Sequence, residues 1–175
     1  MNDIVKKAGG SLATLYKHFG NKEQLFITVL EQRNKSLFEV WDRLSSSHDG
    51  QLEQFLYAIG RNFLDLITGK EAVLFHRMIV SVGYMNDEEL SSNIMKSIMS
   101  RPTSIIAAFL DKEKKRGVIE VEDTLLCAQQ FLHALKEPFM LPRLLGISID
   151  TSLERKELAL KQIISIFYNG LVVRH

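Results

Sequence analysis

Residues 3–30 read DIVKKAGGSLATLYKHFGNKEQLFITVL, three short helical segments punctuated by their own start and stop residues. Ile4, Val5 and Ala8 recur on one side of a first helix, which Gly9-Gly10 closes with residues that readily take the positive φ of a tight turn. Ser11 is an N-cap type for a second helix, Leu12–Phe19, in which Leu15 and Phe19 stand four apart on one face. Gly20 ends that helix, and Asn21, with Gln24 three residues later, opens a third through Leu25, Phe26, Val29 and Leu30. Two short helices joined by a glycine-bearing turn form a helix-turn-helix pattern, whose second helix lies in the DNA major groove.

The second helix carries side chains suited to that task. With Leu15 and Phe19 turned inward, Ser11, Leu12, Thr14, Tyr16, Lys17 and His18 face outward. Hydroxyls and a lysine bond phosphate oxygens and set register on a duplex without reading its sequence. Leu12 and Ala13 sit near the helix start, where an apolar side chain reads a thymine methyl. Within residues 1–22, Lys6, Lys7, Lys17 and Lys22 stand against Asp3 alone, whereas the whole chain is only +1. A basic head on a near-neutral body is the electrostatic footprint of DNA binding. The expected contact set is Ser11, Leu12, Ala13, Thr14, Tyr16, Lys17, His18 and Lys22, with a double-stranded DNA operator as partner.

The segment AGGSLATLYKHFGNKEQLF resembles the helix-turn-helix of TetR-type transcriptional regulators. Ala8, Gly9, Ser11, Thr14, Leu15, Tyr16, His18, Phe19, Lys22, Glu23 and Leu25 all stand where that pattern has the same residue type. Residues 118–149 resemble the AefR-type branch of these regulators. The resemblance implies a dimer that grips an operator and lets go when a ligand changes the separation of its two heads. Gly10 departs from the pattern where valine is usual, and Ala13 where glycine is frequent. Family members also carry a helix ahead of these two, and Met1 falls inside the second helix of that plan. Ile4, Leu15 and Phe19 are therefore expected to lack a covering layer worth roughly 1.5–3 kcal/mol per side chain. Either the true start lies upstream, or this is a shortened paralogue that dimerises with impaired DNA binding.

The rest of the chain reads as helix throughout. Hydrophobic residues make up 46% of 175, enough for a buried core, and 3 prolines with 10 glycines exclude collagen-like or low-complexity classes. A single cysteine, Cys127, excludes an internal disulfide and fits the reducing cytoplasm. The start MNDIVKK has no apolar run behind it, and no stretch approaches the ~20 residues of a membrane helix. The third helix continues as a connector to Ser45-Ser46-Ser47. Further helices are expected over residues 49–68 and 70–82, and from an Asn86 cap through Met99. That last helix is interrupted at Pro102 and resumes over 105–115 before Gly117. Residues 118–121 read as a short extended link, and a helix over 123–136 is broken or bent at Pro138 and Pro142. A final helix is boxed by Thr151 and Glu154.

That final helix contains QIISIFYNGLVV, residues 162–173, without a charge. A helix apolar on nearly every side is buried on nearly every side. One face meets its own body and the other a second copy, so a two-fold homodimer is expected through Leu160, Ile163, Ile164, Phe167 and Leu171. The alternative is a central core helix in a monomer. Phe55, Phe63, Phe75, Met78, Tyr84, Met95, Met99 and Phe131 crowd the middle helices. Of these, Phe63, Met78, Met95, Met99 and Phe131 are the expected lining for a small apolar ligand. Rings and methionines at helical spacing are, more plainly, core.

Enzyme chemistry finds no foothold. His18, His48, His76, His133 and His175 show no metal-ligand spacing, and Cys127 lacks a basic neighbour. Thr68-Gly69-Lys70 lacks the upstream glycine of a phosphate loop, and Asp87-Glu88-Glu89 reads as a helix start. No catalytic residue, cofactor or metal is expected. The expected architecture is all-α: a helix-turn-helix head with its connector over residues 1–44, and a ligand-sensing, dimerising body over 45–175. The expected function is transcriptional repression in the cytoplasm.

Overall fold

A computed structural model describes residues 2–69, 71–83, 88–96 and 100–173. Among them nine helices follow one another: α1 (Asn2–Ala8), α2 (Leu12–Phe19), α3 (Lys22–Ser47), α4 (Leu52–Thr68), α5 (Ala72–Gly83), α6 (Glu88–Met95), α7 (Arg101–Lys115), α8 (Thr124–Leu144) and α9 (Leu153–Leu171). The expected cap Asn86, the start at Lys70, and Tyr84, Met99 and His175 lie outside the described residues, as do the side chains of Ile4 and Leu30.

The α3 helix contains neither glycine nor proline, so nothing interrupts its 26 residues from head to body. Its second half is already core: Phe38 and Trp41 are buried with α4 and α7. The α4 helix lies at the centre of the body, its Phe55 stacked on Phe109 of α7 at 3.8 Å between ring centroids. Ile59 and Leu64 of α4 share that core with Phe131, Leu132 and Leu135 of α8 and with Leu160 and Ile164 of α9. Gly60 is where three helices meet most tightly. A Cβ there would lie 2.5 Å from Leu160 Cδ1 and 3.2 Å from Leu135 Cδ1.

A second, smaller apolar cluster joins Ile27 of α3 to Leu90 and Ile94 of α6, with Phe26, Phe75 and Ile79 packed around it. It ties the head end of α3 to α5 and α6.

Three element ends differ from expectation, each for a local reason. The helix around Pro102 is in two parts as expected, α6 and α7, but the second part starts earlier than residue 105: Pro102 stands in the first turn of α7, where a missing amide costs nothing. Pro138 and Pro142 fall inside α8, which runs on through them because Leu135, Phe139 and Met140 on either side are buried. The cap of α9 is Ser152, one residue later than Thr151. Ser152 Oγ accepts from the Arg155 amide at 3.2 Å, while the Ser152 amide donates to Asp150 Oδ1 at 2.8 Å. The 118–121 link is extended as expected, and Ile119 pairs antiparallel with Val172. The Glu120 amide donates to Leu171 O at 2.9 Å and the Val173 amide to Val118 O at 3.2 Å.

Two arginines fasten helix ends. Arg116 donates to Asp49 Oδ2 and to Glu113 Oε1, each at 2.6 Å, joining the end of α7 to the α3–α4 turn. Hydrogen bonding by that guanidinium holds the Asp49 carboxyl below the usual carboxylate range. Arg143 reaches from α8 to the last carbonyls of α4, Ile67 O at 3.0 Å and Gly69 O at 3.3 Å.

Gly60→Val forces branched carbon into the α4–α8–α9 contact and is expected to destabilise the fold by about 1–3 kcal/mol, read as a lower urea midpoint.

Candidate functional site

The head is built from its caps. Ser11 is extended at φ −119° and ψ 152°, and its Oγ accepts from the Thr14 amide at 3.1 Å. The Ser11 and Thr14 hydroxyls also lie 2.9 Å apart, so both already serve the start of α2. Gly20, at φ 77°, ends the helix by donating its amide to Tyr16 O at 2.8 Å. Asn21 Oδ1 then accepts from the Gln24 amide at 2.7 Å and starts α3. These three short contacts set the angle at which α2 leaves α3.

Leu15 and Phe19 are half-buried, and no residue of α2 is fully buried. Ser11, Leu12, Ala13, Thr14, Tyr16, Lys17, His18 and Lys22 are all exposed, gathered on α2 and the first residue of α3. Leu12 and Tyr16 are 36% and 43% exposed, large for apolar and aromatic side chains and unneeded by the core. Lys17 and His18 occupy the last turn of α2, and Lys6 and Lys7 the last turn of α1. The arrangement offers apolar groups at the helix start and cations beyond, a geometry for base-edge contact flanked by phosphate contact.

A second candidate site lies where α3, α4, α5, α7 and α8 converge. A cavity of about 90 Å³ is lined by Leu37, Phe38, Trp41, Phe63, Leu66, Ile67, Ala72, Phe75, His76, Pro102, Leu132, His133 and Lys136. Of the expected lining only Phe63 is there. Met78 and Met95 point to solvent, being 43% and 56% exposed. Phe131 is core instead, edge-on to Phe167 at 5.4 Å. Met99 lies outside the described residues. His133, which sits among apolar neighbours in the sequence, is in the lining, and Trp41, His76 and Lys136 join it without a sequence signal for that role. The i, i+4 pair Leu37 and Trp41 was visible in the connector, yet nothing local says that its stripe meets residues nearly a hundred positions away.

Polar chemistry in this cavity is sparse and one-sided. Trp41 has no exposed surface, and its Nε1–H meets no acceptor among the described residues, a lapse that costs about 1–3 kcal/mol. His76 Nδ1 lies 2.9 Å from Ala72 O, and since a carbonyl only accepts, that nitrogen carries the proton. Lys136 Nζ is 3.6 Å from the exposed Glu137. No acidic side chain is among the described residues of the lining.

The expected dimer residues divide. Leu160, Ile164 and Leu171 turn into the protomer's own core, at 1%, 4% and 9% exposure, and so are not available to a partner. Ile163 and Phe167 are half-buried against that core. The apolar surface of α8 and α9 is carried instead by Leu125, Leu126, Leu153, Leu158 and Ile166, all exposed. Leu126, Gln130, Ile166 and Gly170 border a shallow groove between the two helices.

Residues 54–169 match the family described as "AefR-like transcriptional repressor, C-terminal domain", and residues 1–29 match "Bacterial regulatory proteins, tetR family". No curated protein sequence matches. Among solved structures, one from Mesorhizobium loti MAFF303099, described as a TetR-family transcriptional regulator, is 22% identical. It superposes with a TM-score of 0.78 over 97% of this chain and 85% of that one. The flavonoid-responsive regulator FrrA is 26% identical, with a TM-score of 0.70 over 100% of this chain and 87% of its own. The reduced form of NemR from Escherichia coli is 14% identical, with a TM-score of 0.69 over 99% and 86%, a likeness of fold alone.

Among the described residues no helix is long and apolar enough to cross a membrane, and no group of three or more His, Cys, Asp and Glu could hold a metal ion. Cys127 is buried, and that burial, helped by the Asp123 charge, pushes its thiol above the ordinary value. Because the thiolate is the reactive form, Cys127 is expected to react slowly with an aromatic disulfide at pH 8 in the folded protein and promptly in denaturant.

Proposed function

This chain belongs to the TetR family of bacterial transcriptional regulators, with an AefR-like C-terminal domain, and we propose that it acts in the cytoplasm as a homodimeric operator-binding repressor released by a small apolar ligand. The family is one of DNA-binding regulators, not enzymes. One observation carries the reading. A single unbroken helix, α3, holds the exposed α2 face at one end and supplies Phe38 and Trp41 to the cavity wall at the other. At 1.5 Å per residue its 26 residues span about 39 Å.

In this reading residues 1–44 form the head with its connector, and residues 45–175 the sensing and dimerising body. Ser11, Thr14, Tyr16, Lys17, His18 and Lys22 meet phosphates, while Leu12 and Ala13 meet base edges. Two heads held by a symmetric body span half-sites roughly 34–36 Å apart, or multiples of that distance. The exposed α8–α9 face around Ile166 supports the two-fold contact better than Leu160, Ile164 and Leu171, which the protomer already covers.

Ligand entry acts on α3. At about 90 Å³ the cavity is smaller than the ~150 Å³ one that holds benzene, so in this reading a ring-sized guest parts the walls. Phe75 is one of those walls and also packs on the Ile27 cluster at the head end of α3. Its displacement therefore reaches both halves of the helix, and the separation of the heads changes with the tilt. The similarity to a flavonoid-responsive regulator favours a ring-bearing guest.

The open inner face of α2 favours a second reading, in which the chain dimerises but grips DNA poorly. Binding to DNA fragments flanking the gene, at two salt concentrations, separates the two. The repressor reading expects tight binding with a steep salt slope; salt-insensitive or absent binding supports the second. Lys17→Ala is expected to weaken binding and lower the log–log salt slope by about 1, and Tyr16→Ala to weaken it with the dimer intact. Ile166→Glu is expected to yield folded monomers in sedimentation; an intact dimer would place the interface elsewhere.

A further inference from the structure

We propose that the cavity selects anionic ligands, small aromatic acids that place a ring among the Phe38, Phe63, Phe75 and Leu132 side chains and a carboxylate or phenolate oxygen toward Lys136. The inference rests on the reading of this cavity as the ligand site. Four observations converge on it. Every described titratable side chain in the lining is basic: His76, His133 and Lys136. The buried Trp41 Nε1–H is a hydrogen-bond donor that meets no acceptor among the described residues. An acidic oxygen offers acceptor lone pairs and no obligatory donor, whereas a cationic guest would meet donors and like charge.

The third observation is placement. His133 and Lys136 are three apart on α8 and so share one helix face, and both border the cavity where His133 is exposed to water. The charged end of a guest can thus stay near solvent while its ring enters. The fourth is competition: among the described residues the ion-pair partner of Lys136 is Glu137, at 3.6 Å and exposed. A solvated pair at that separation is worth little, so an incoming anion displaces it at small cost. Cation and aromatic walls together define the class: an apolar ring bearing a negative charge.

Trp41 is the only tryptophan of the chain, so its emission reports on this cavity alone. The test is a titration of the full-length protein with 3-phenylpropanoate and, separately, with 3-phenylpropan-1-ol, a matched pair with the same ring and tail, excited at a wavelength where neither absorbs. The expected result is a saturable change in Trp41 emission with the acid binding at least about tenfold tighter than the alcohol. Lys136→Gln, which removes the charge of this half-buried side chain while keeping most of its length, should reduce that preference to about threefold or less. Equal or tighter binding of the alcohol would overturn the anion preference while leaving the cavity as an apolar ligand site. A tenfold preference that survives Lys136→Gln would also overturn it, since the charge would then be read elsewhere. No binding by either compound, checked by calorimetry, would overturn the inference together with the reading of the cavity on which it rests.

Discussion

The burial of Trp41 holds the molecule's two ends to one geometry. Its indole has no exposed surface and meets Phe63 edge-on at 6.2 Å, within a wall that also includes Phe38. Burying so large a ring fixes the second half of α3 within the body, and the cost of withdrawing it is several kcal/mol in order of magnitude. Because α3 has no glycine or proline at which to bend, fixing one half orients the other. The positions of Ser11, Tyr16 and Lys17 relative to the body are thus set by a packing event more than twenty residues away. Local caps decide how α2 meets α3; distant packing decides where the pair points.

The body tolerates few adjustments around that helix. Gly60 admits α8 and α9 so close to α4 that a methyl group already meets Leu160. Glu113 is wholly buried, with Oε1 on Arg116 and Oε2 without a described donor. A buried charge held by one guanidinium makes that pairing obligatory, because losing the partner leaves the carboxylate stranded. Arg116 also holds Asp49, so the turn after α3 is tied to the end of α7 by the same cation. The core thus surrounds α3 with stiff neighbours, except along the cavity.

Local chemistry was legible in the sequence; distant pairing was not. Ser11 and Asn21 announced helix starts because their side chains bond amides three residues away, inside the window that a reader can see. The two positive-φ turns at Gly9 and Gly20 were legible for the same reason. Pro102 announces the boundary between α6 and α7 because a first-turn proline is local chemistry, whereas Pro138 does not break α8 because tertiary burial of Phe139 and Met140 outweighs one lost hydrogen bond. The expected dimer residues divide between buried and half-buried positions through a symmetry of pattern. In α9, Leu160, Ile164 and Leu171 recur at helical spacing, and so do Leu158 and Ile166. Periodicity finds stripes but cannot say which of two faces the protomer itself. The cavity residues were harder still, since Trp41, His76 and Lys136 belong to three helices whose meeting is written in no single segment.

Among the described residues the apolar interior comes in two unequal parts, a large cluster spanning α3, α4, α7, α8 and α9 and a small one around Ile27, Leu90 and Ile94. Free energy of opening is not shared evenly between such parts: few buried contacts mean a low threshold for local release. The small number of buried side chains joining α3 to α6 makes that contact the expected place for opening below global unfolding. Amides near Ile27 should exchange through that opening, and those near Trp41 only through rarer ones. In a DNA-binding regulator such a hierarchy separates movement of the DNA-facing helices from the integrity of the larger core.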